Sequence, residues 1–574
     1  MSTPPARNPD RPAWLAPLYA LALVLGVFVY FYGLGSDHIP KNGDEFPYAH
    51  LTRLTAASGH LLPLKSDIES LRNTKPPLIF WQGIVSTNWA KNWTLVNLRY
   101  PSVFCTLLTA ALIYLVTARL SGARDKAVLA ALIFLAFFST YRYGRPFLTD
   151  PPVVFWLFVP FAVLLLRPAV FDSRLAAPLA FGVVIGIGLL YKSFALLLPE
   201  MAGLGWWYWR RRDYSIKEFV LRDSWKLAAM GVVALAVFGL WFALDPDPRA
   251  IIREFVLGEN VAKFDSHGGG YLAKLLWGGS SIWSLAAGYL VDAGLLALPV
   301  LGLFVIAVKY RKEMAPSERL LWFWIVTLFL VFSLPSQRSE RYLLPAMPAL
   351  AILCALNWER IARWWFAVSL AAAGLAVAVV GYLSLRLQQG MPGPALYSAG
   401  HWLLLSGTVV FVAVALWRPA LTRPGLVVVA FLACLCFSSF LRPFDGALGN
   451  YGAEAQAFAR GRDVWVPVNF KAKEEGYLFL LPGAKPHPYS YDRSLTATNL
   501  AAKYPLFAIR LPISDTNPVA GRVIGERLEL GSRHSSAQIK EMIQGKVYEH
   551  LFLKELLIES PDAATLTPPP DGKR

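Results

Sequence analysis

Two adjacent carboxylates, Asp44 and Glu45, open the stretch NGDEFPYAHLTRLTAASGH (42–60), directly after the first long apolar run of the chain. A carboxylate there could cap a surface helix through its side-chain oxygen. It could also act as a base on a hydroxyl brought to the membrane surface, although this stretch alone favours the cap. The two roles are compatible, because a capping carboxylate is fixed in direction. Pro47 falls in the first turn and Gly59 follows the last. The spacing therefore predicts a short interfacial helix, with Leu51 and Leu54 on one face and Thr52 and Arg53 turned away from them.

Four further stretches carry charge next to apolar segments. In NTKPPLIFWQG (73–83), Pro76 and Pro77 impose an extended, rigid lead-in that holds Lys75 at the membrane surface. Lys75 reads as a lysine snorkelling to the headgroups or as a point-charge ligand for phosphate. YRYGRPFLTDPPVVFW sets Asp150 in a short turn with Arg142 and Arg145. A carboxylate at such a depth is costly unless paired or functional, so an ion pair and a site residue are both open readings. LLYKSFALLLP adds Lys192, and LPSQRSERYLLP adds Arg338, Arg341 and Tyr342. GENVAKFDSHGGG supplies Glu259, Asn260, Lys263, Asp265 and His267. One Glu and one His are too few ligands for a metal, and Gly268 to Gly270 follow no strand, which excludes a nucleotide fingerprint. That glycine run predicts a mobile loop. Carboxylates at 44 and 150 with cations at 75, 192 and 338, all on one face, are the composition expected of a site for an anionic, lipid-linked substrate.

The elements that must position these groups are membrane helices. The 574 residues are 55% hydrophobic with a mean hydropathy of +0.44, which excludes an ordinary soluble domain. Continuous apolar runs of about 17–25 residues suit helical spans, and the length criterion gives about thirteen of them. The first run, Trp14 to Gly35, lacks a small-x-small cleavage site and reads as a retained helix rather than a signal peptide. Basic clusters recur in alternate loops (119–126, 167–174, 210–222, 309–313, 357–363 and 418–423). Placing these loops in the cytoplasm with the N-terminal tail accounts for much of the formal charge of +17 without invoking nucleic acid. All four cysteines fall in predicted spans and read as small buried hydrophobes, with no disulfide expected.

The expected organisation is a cytoplasmic tail (1–13), a transmembrane domain (14–441) with long external loops at 35–97 and 245–283, and an extracytoplasmic α/β domain (442–574). In that last part DVWVPVNF, LFAIRLPI and VYEHLFLKELLIE read as strands, SSAQIKEMIQGK as a short helix and TPPPDGKR as a disordered end. The fold class is thus an all-α polytopic membrane bundle with a small soluble α/β domain. Two other functions fit such a layout: a lipid-linked sugar transporter or flippase, and a noncatalytic envelope-glycan assembly protein. A transporter predicts ionisable groups near mid-span and paired broken helices, whereas here they cluster at one interface.

In this order along the chain, DEFPYAHLTRLTAASGHLLP, KPPLIFW, LTDPPVVFW, GLLYKSFALLLP, ENVAKF and RYLLPAMPALAIL resemble membrane glycosyltransferases of the GT-C fold. The resemblance is to the lipid A aminoarabinose transferases (ArnT) and to bacterial relatives of the dolichyl-phosphate-mannose protein mannosyltransferases (PMT). It implies a multi-pass enzyme of the bacterial inner membrane. Such an enzyme takes a sugar from a polyprenyl-phosphate donor and passes it, with inversion, to an envelope lipid, glycan or protein. It also implies that Asp44 is the principal catalytic carboxylate, with Asp150 the second and Glu45 beside them. Lys75, Arg338, Tyr342 and Lys192 become donor-phosphate ligands, and Arg53, Arg145, Glu259, Asn260 and His267 candidate substrate contacts. Two departures stand out. Thr74 precedes Lys75 where the aminoarabinose enzymes have Glu, removing a carboxylate associated there with metal or substrate, and QRSERY replaces GKLPTY. The scheme requires no cofactor, and a metal is left unassigned.

Overall fold

The computed structural model describes residues 12, 14–39, 43–68, 71–264, 271–391, 393, 395–492, 494–531 and 534–566. Among them, seven helices are long and apolar enough to cross a bilayer. They are Leu95–Ser121, Ser224–Leu244, Ile282–Lys309, Pro316–Ser333, Arg363–Gly390, Ala399–Trp417 and Pro419–Asp445. Three shorter apolar helices join them: Leu15–Phe31, Asp150–Leu166 and Ala176–Leu189. Against the expected thirteen spans, the described residues hold seven helices of spanning length and three shorter apolar ones.

The elements that matter for the site are α1 (Leu15–Phe31), α2 (Glu45–Ala57), α3 (Leu78–Ser86), α4 (Leu95–Ser121), α5 (Arg124–Ala136), α6 (Phe138–Tyr143) and α7 (Asp150–Leu166). Helices α4 and α5 pack against Met347–Leu356, a helix almost wholly buried, and α7 packs on α4. Tyr30 at the end of α1 donates to the Leu135 carbonyl of α5 at 2.9 Å, fixing the register of the first span. Close helix crossings rely on small residues, as expected where lipid removes the hydrophobic drive between spans. A Cβ on Gly182 or Gly186 would lie 2.6 Å from Val233 or Val237 of the neighbouring helix.

After the last span the chain builds a five-stranded sheet in the order β2-β1-β3-β5-β4. Its strands are β1 (Asp463–Val468), β2 (Lys485–Ser490), β3 (Leu506–Pro512), β4 (Arg522–Leu530) and β5 (Phe552–Glu559). β1 pairs in parallel with β2 and β3, while β5 runs antiparallel to β3 and β4. Two strands escape the sequence pattern. β2, KPHPYS, contains two prolines, tolerated because it is an edge strand. β4 is the other edge and is broken by a bulge at Val523/Gly525. The run VYEHLFLKELLIE also divides: Val547–Leu551 is a helical turn and only Phe552–Glu559 is strand.

Candidate active site

Helix α2 is not the surface helix that its polar sequence predicts. Ten of its thirteen residues are buried, because α3 covers one side and the C-terminal domain another. Asp44 stands at the N-cap position but its side chain caps nothing. The helical ladder starts instead from its carbonyl, which accepts from the Tyr48 N–H at 3.3 Å. The carboxylate is drawn away by a stronger, charge-assisted partner: Arg341 Nη1 donates to Asp44 Oδ2 at 2.5 Å.

Arg341 is the centre of the arrangement. Its Nε lies 2.8 Å and its Nη2 2.6 Å from Asp150 Oδ2, so one guanidinium joins carboxylates from two separate loops. Burial opposes its charge, but Asp150 foremost more than offsets this and raises its pKa. Lys192 Nζ donates to the other Asp150 oxygen, Oδ1, at 2.7 Å. Asp150 is only 2% exposed, so its charge is tolerated through these two cations. The result is a row of alternating charge, Asp44, Arg341, Asp150, Lys192, running from a carboxylate 43% exposed to one that is buried. Two rings line it: Lys192 lies 5.5 Å from the Tyr342 ring centroid and Arg341 5.3 Å from that of Tyr143.

A second pair sits nearby. Lys75, held before α3 by its two prolines, donates to Glu259 Oε1 at 2.7 Å and to the Thr74 carbonyl at 2.9 Å. Glu259 belongs to a nine-residue π-helical segment, Ile252–Asn260, a rare conformation often found at functional sites. The same segment places Asn260 Oδ1 as acceptor for Ser193 Oγ at 2.8 Å, one residue beyond Lys192. Tyr48 links the two groups. Burial raises the pKa of this phenol, and the fields of Asp44, Asp150 and Glu259 add to the rise while Arg341 opposes it.

The structure thus gathers Asp44, Asp150, Lys192 and Tyr342 into one cluster and sets Lys75 with Glu259 and Asn260 beside it. The other sequence candidates are held elsewhere. Glu45 is buried in a two-pronged pair with Arg99, both bonds 2.7 Å, and also accepts from the Phe147 N–H at 2.8 Å. It braces α2 against α4. Arg53 binds Glu475 of the C-terminal domain. Arg145 is fully buried and donates to the carbonyls of Tyr30 and Tyr32 at the end of α1. Arg338 turns into the backbone, donating to the Ser333 carbonyl at 2.7 Å and the Ser280 carbonyl at 2.8 Å. His267 lies outside the described residues. Among those described, no three His, Cys, Asp or Glu side chains group as metal ligands.

Sequence reasoning did not select Arg341. It sits in the same loop as Arg338, and nothing in QRSERY distinguishes the arginine that turns inward from the one that ties down the backbone. Tyr48 and Tyr143 were also missed, since a tyrosine in an apolar neighbourhood carries no local signal.

Known proteins resemble this chain in sequence and in fold. Residues 42–251 match the family model described as dolichyl-phosphate-mannose-protein mannosyltransferase, PMT. The chain is 29% identical over 418 residues to the undecaprenyl phosphate-alpha-4-amino-4-deoxy-L-arabinose arabinosyl transferase 1 of Sodalis glossinidius, covering 68% of this chain and 69% of that protein. It is 29% identical over 324 residues to the corresponding transferase of Erwinia tasmaniensis, covering 56% of this chain but only 55% of the relative. The crystal structure of ArnT from Cupriavidus metallidurans bound to undecaprenyl phosphate shares the fold with a TM-score of 0.60 at 18% identity, over 97% of this chain and 99% of that one. The chain thus shares the fold of ArnT and resembles the ArnT and PMT membrane glycosyltransferases in sequence.

Proposed function

We propose that this protein transfers a sugar from a polyprenyl-phosphate carrier to an envelope acceptor (lipid A, another glycan or a protein) on the outer face of the bacterial cytoplasmic membrane. In this reading the N-terminus is cytoplasmic and residues 442–574 lie outside. The observation that carries it is Arg341, which ties carboxylates from two loops together beside a lysine–glutamate pair around Tyr48. The relatives above are named for transfer from undecaprenyl phosphate-linked aminoarabinose, and the structural neighbour holds undecaprenyl phosphate.

The chemistry follows from the charges. The acceptor oxygen attacks the anomeric carbon from the face opposite the phosphate, and the sugar–oxygen bond to the phosphate breaks with its electron pair. Lys75 exchanges Glu259 for the carrier phosphate, and Lys192 and Arg341 add positive potential where that negative charge grows. Asp44, the most exposed carboxylate of the row, takes the acceptor proton. Asp150 holds Arg341 and Lys192 in place. The scheme needs no metal, and transfer unchanged by EDTA is its expected result. A transporter is less well supported, because the clustered charges stand at helix ends: before α2, at the start of α7, just after Ala176–Leu189 and in the 3-10 turn Glu340–Ala346.

The test is mass spectrometry of envelope lipids, glycans and proteins from cells lacking the protein, complemented with wild type or with Asp44→Asn. A sugar-sized mass should vanish from one acceptor class and return only with wild type. Full rescue by Asp44→Asn at equal abundance overturns the assignment.

A further inference from the structure

Helix α2 is held by ion pairs to two different parts of the molecule. At its start Glu45 grips Arg99 of the membrane bundle. Along its length, the face formed by Phe46, His50 and Arg53 meets the segment Lys473–Leu480 of the C-terminal domain. These residues lie three and four apart, so they share one side of the helix. Glu475 is the focus of that contact. Its side chain is 1% exposed, and it accepts from Arg53 Nε at 2.6 Å and Arg53 Nη2 at 2.9 Å, with His50 Nδ1 at 3.2 Å. The fit around it is tight. A Cβ on Gly476 would lie 3.2 Å from the Phe46 ring, and Phe479 stacks on Trp93 at 6.0 Å while leaning on Phe46.

The turn that aims Glu475 departs from ordinary backbone geometry. Ala472, a buried non-glycine residue, has φ +57° immediately before the 3-10 turn Lys473–Gly476. Such a conformation is unfavourable for a residue with a side chain and persists where the surroundings over-determine it. A buried carboxylate between two cations, on a turn of this kind, at the far end of the helix that presents Asp44, does more than close a surface.

We propose that Glu475 is a positioning residue for the transfer reaction. Through Arg53 and His50 it clamps α2 between the C-terminal domain and the bundle, and so fixes where Asp44 presents its carboxylate to the acceptor. The proposal rests on the reading of Asp44 as the group that takes the acceptor proton. It makes the C-terminal domain a working part of the active site rather than an appended module.

The test uses the full-length protein in nanodiscs. Hydrogen exchange of residues 43–57 is compared in wild type, Glu475→Ala, Glu475→Asp and Arg53→Met, together with transfer in complemented cells and binding of undecaprenyl phosphate. Glu475→Ala should speed exchange in α2 by about tenfold, leaving the spanning helices unchanged. Transfer should fall by about a hundredfold at equal abundance, the loss expected when a reacting group is misplaced by about 1 Å. Undecaprenyl phosphate affinity should stay within about threefold, and Glu475→Asp should recover most of the transfer. If Glu475→Ala fails to accumulate, Arg53→Met and Glu475→Asp give the same graded comparison from the other partner and from a milder change. Unchanged exchange in α2, or a loosened α2 with full transfer, overturns the clamp. An active Asp44→Asn overturns the reading of the site itself, whatever the exchange shows.

Discussion

Two networks in this protein each enclose a buried carboxylate between two cations, and they end differently. In the C-terminal domain, Glu555 is fully buried within the sheet. Oε1 accepts from Tyr451 Oη at 3.0 Å and Arg527 Nε at 2.6 Å, and Oε2 from Tyr477 Oη at 2.7 Å and Arg510 Nε at 2.8 Å. Burial alone would raise its pKa, but Arg527 and Arg510 reverse this and hold it well below the usual carboxylate range. Four donors leave the carboxylate no further demand. At the mouth of the bundle, Arg341 and Lys192 likewise enclose Asp150, yet the row ends in Asp44, 43% exposed. A closed network stabilises a fold, whereas one that stops at an exposed charge can hand that charge to a substrate.

The comparison breaks most sharply at Asp44. Asp44→Asn should lower transfer by about 10²–10⁴-fold, the usual contribution of a positioned acid or base, with no change in thermal stability. Glu555→Gln should do the reverse. Removing one partner from a buried charge network costs about 3–5 kcal/mol, visible as a lower unfolding temperature of the purified protein. Equal effects of the two variants on stability would erase the distinction.

Lys75→Ala is a smaller lever. Loss of one charge-assisted contact to phosphate is worth about 1.5–3 kcal/mol, so the donor KM should rise by about tenfold to a hundredfold with kcat far less affected. An unchanged donor dependence would remove Lys75 from the phosphate site. The smallest effect expected is one of pH. Burial disfavours the His50 cation, but Asp67 and Glu475 outweigh it and raise its pKa from 6.5 to about 9. A raised pKa means that protonated His50 stabilises the docked state fully below pH 6.5. That contribution fades as the pH rises through about 9. Exchange in α2 should quicken over that window in wild type and show no such slope in His50→Gln.

Much of the candidate site was legible because local chemistry marks it. Asp44 after an apolar run, Lys75 before two prolines, Asp150 before two more and Lys192 between apolar segments are all charges where a membrane chain avoids them. Arg53 and Arg338 look alike by that criterion, yet one pairs with the soluble domain and the other with backbone carbonyls. The strands were readable where they are central, as in β1 and β3, but not at the edges, where β2 tolerates proline and β4 a bulge.

The sequence by itself determined that the chain lives in a membrane, that charged residues stand beside its apolar runs, and that a sheet-forming domain follows the last span. Hydropathy, proline placement and charge act over a few residues and need no partner to be recognised. Only the tertiary structure decided that Arg341, not Arg338, bridges Asp44 and Asp150, and that Glu475 holds Arg53 from 422 residues away. Those choices follow from which groups find a complementary charge across packed elements, and no pattern along the chain encodes that distance.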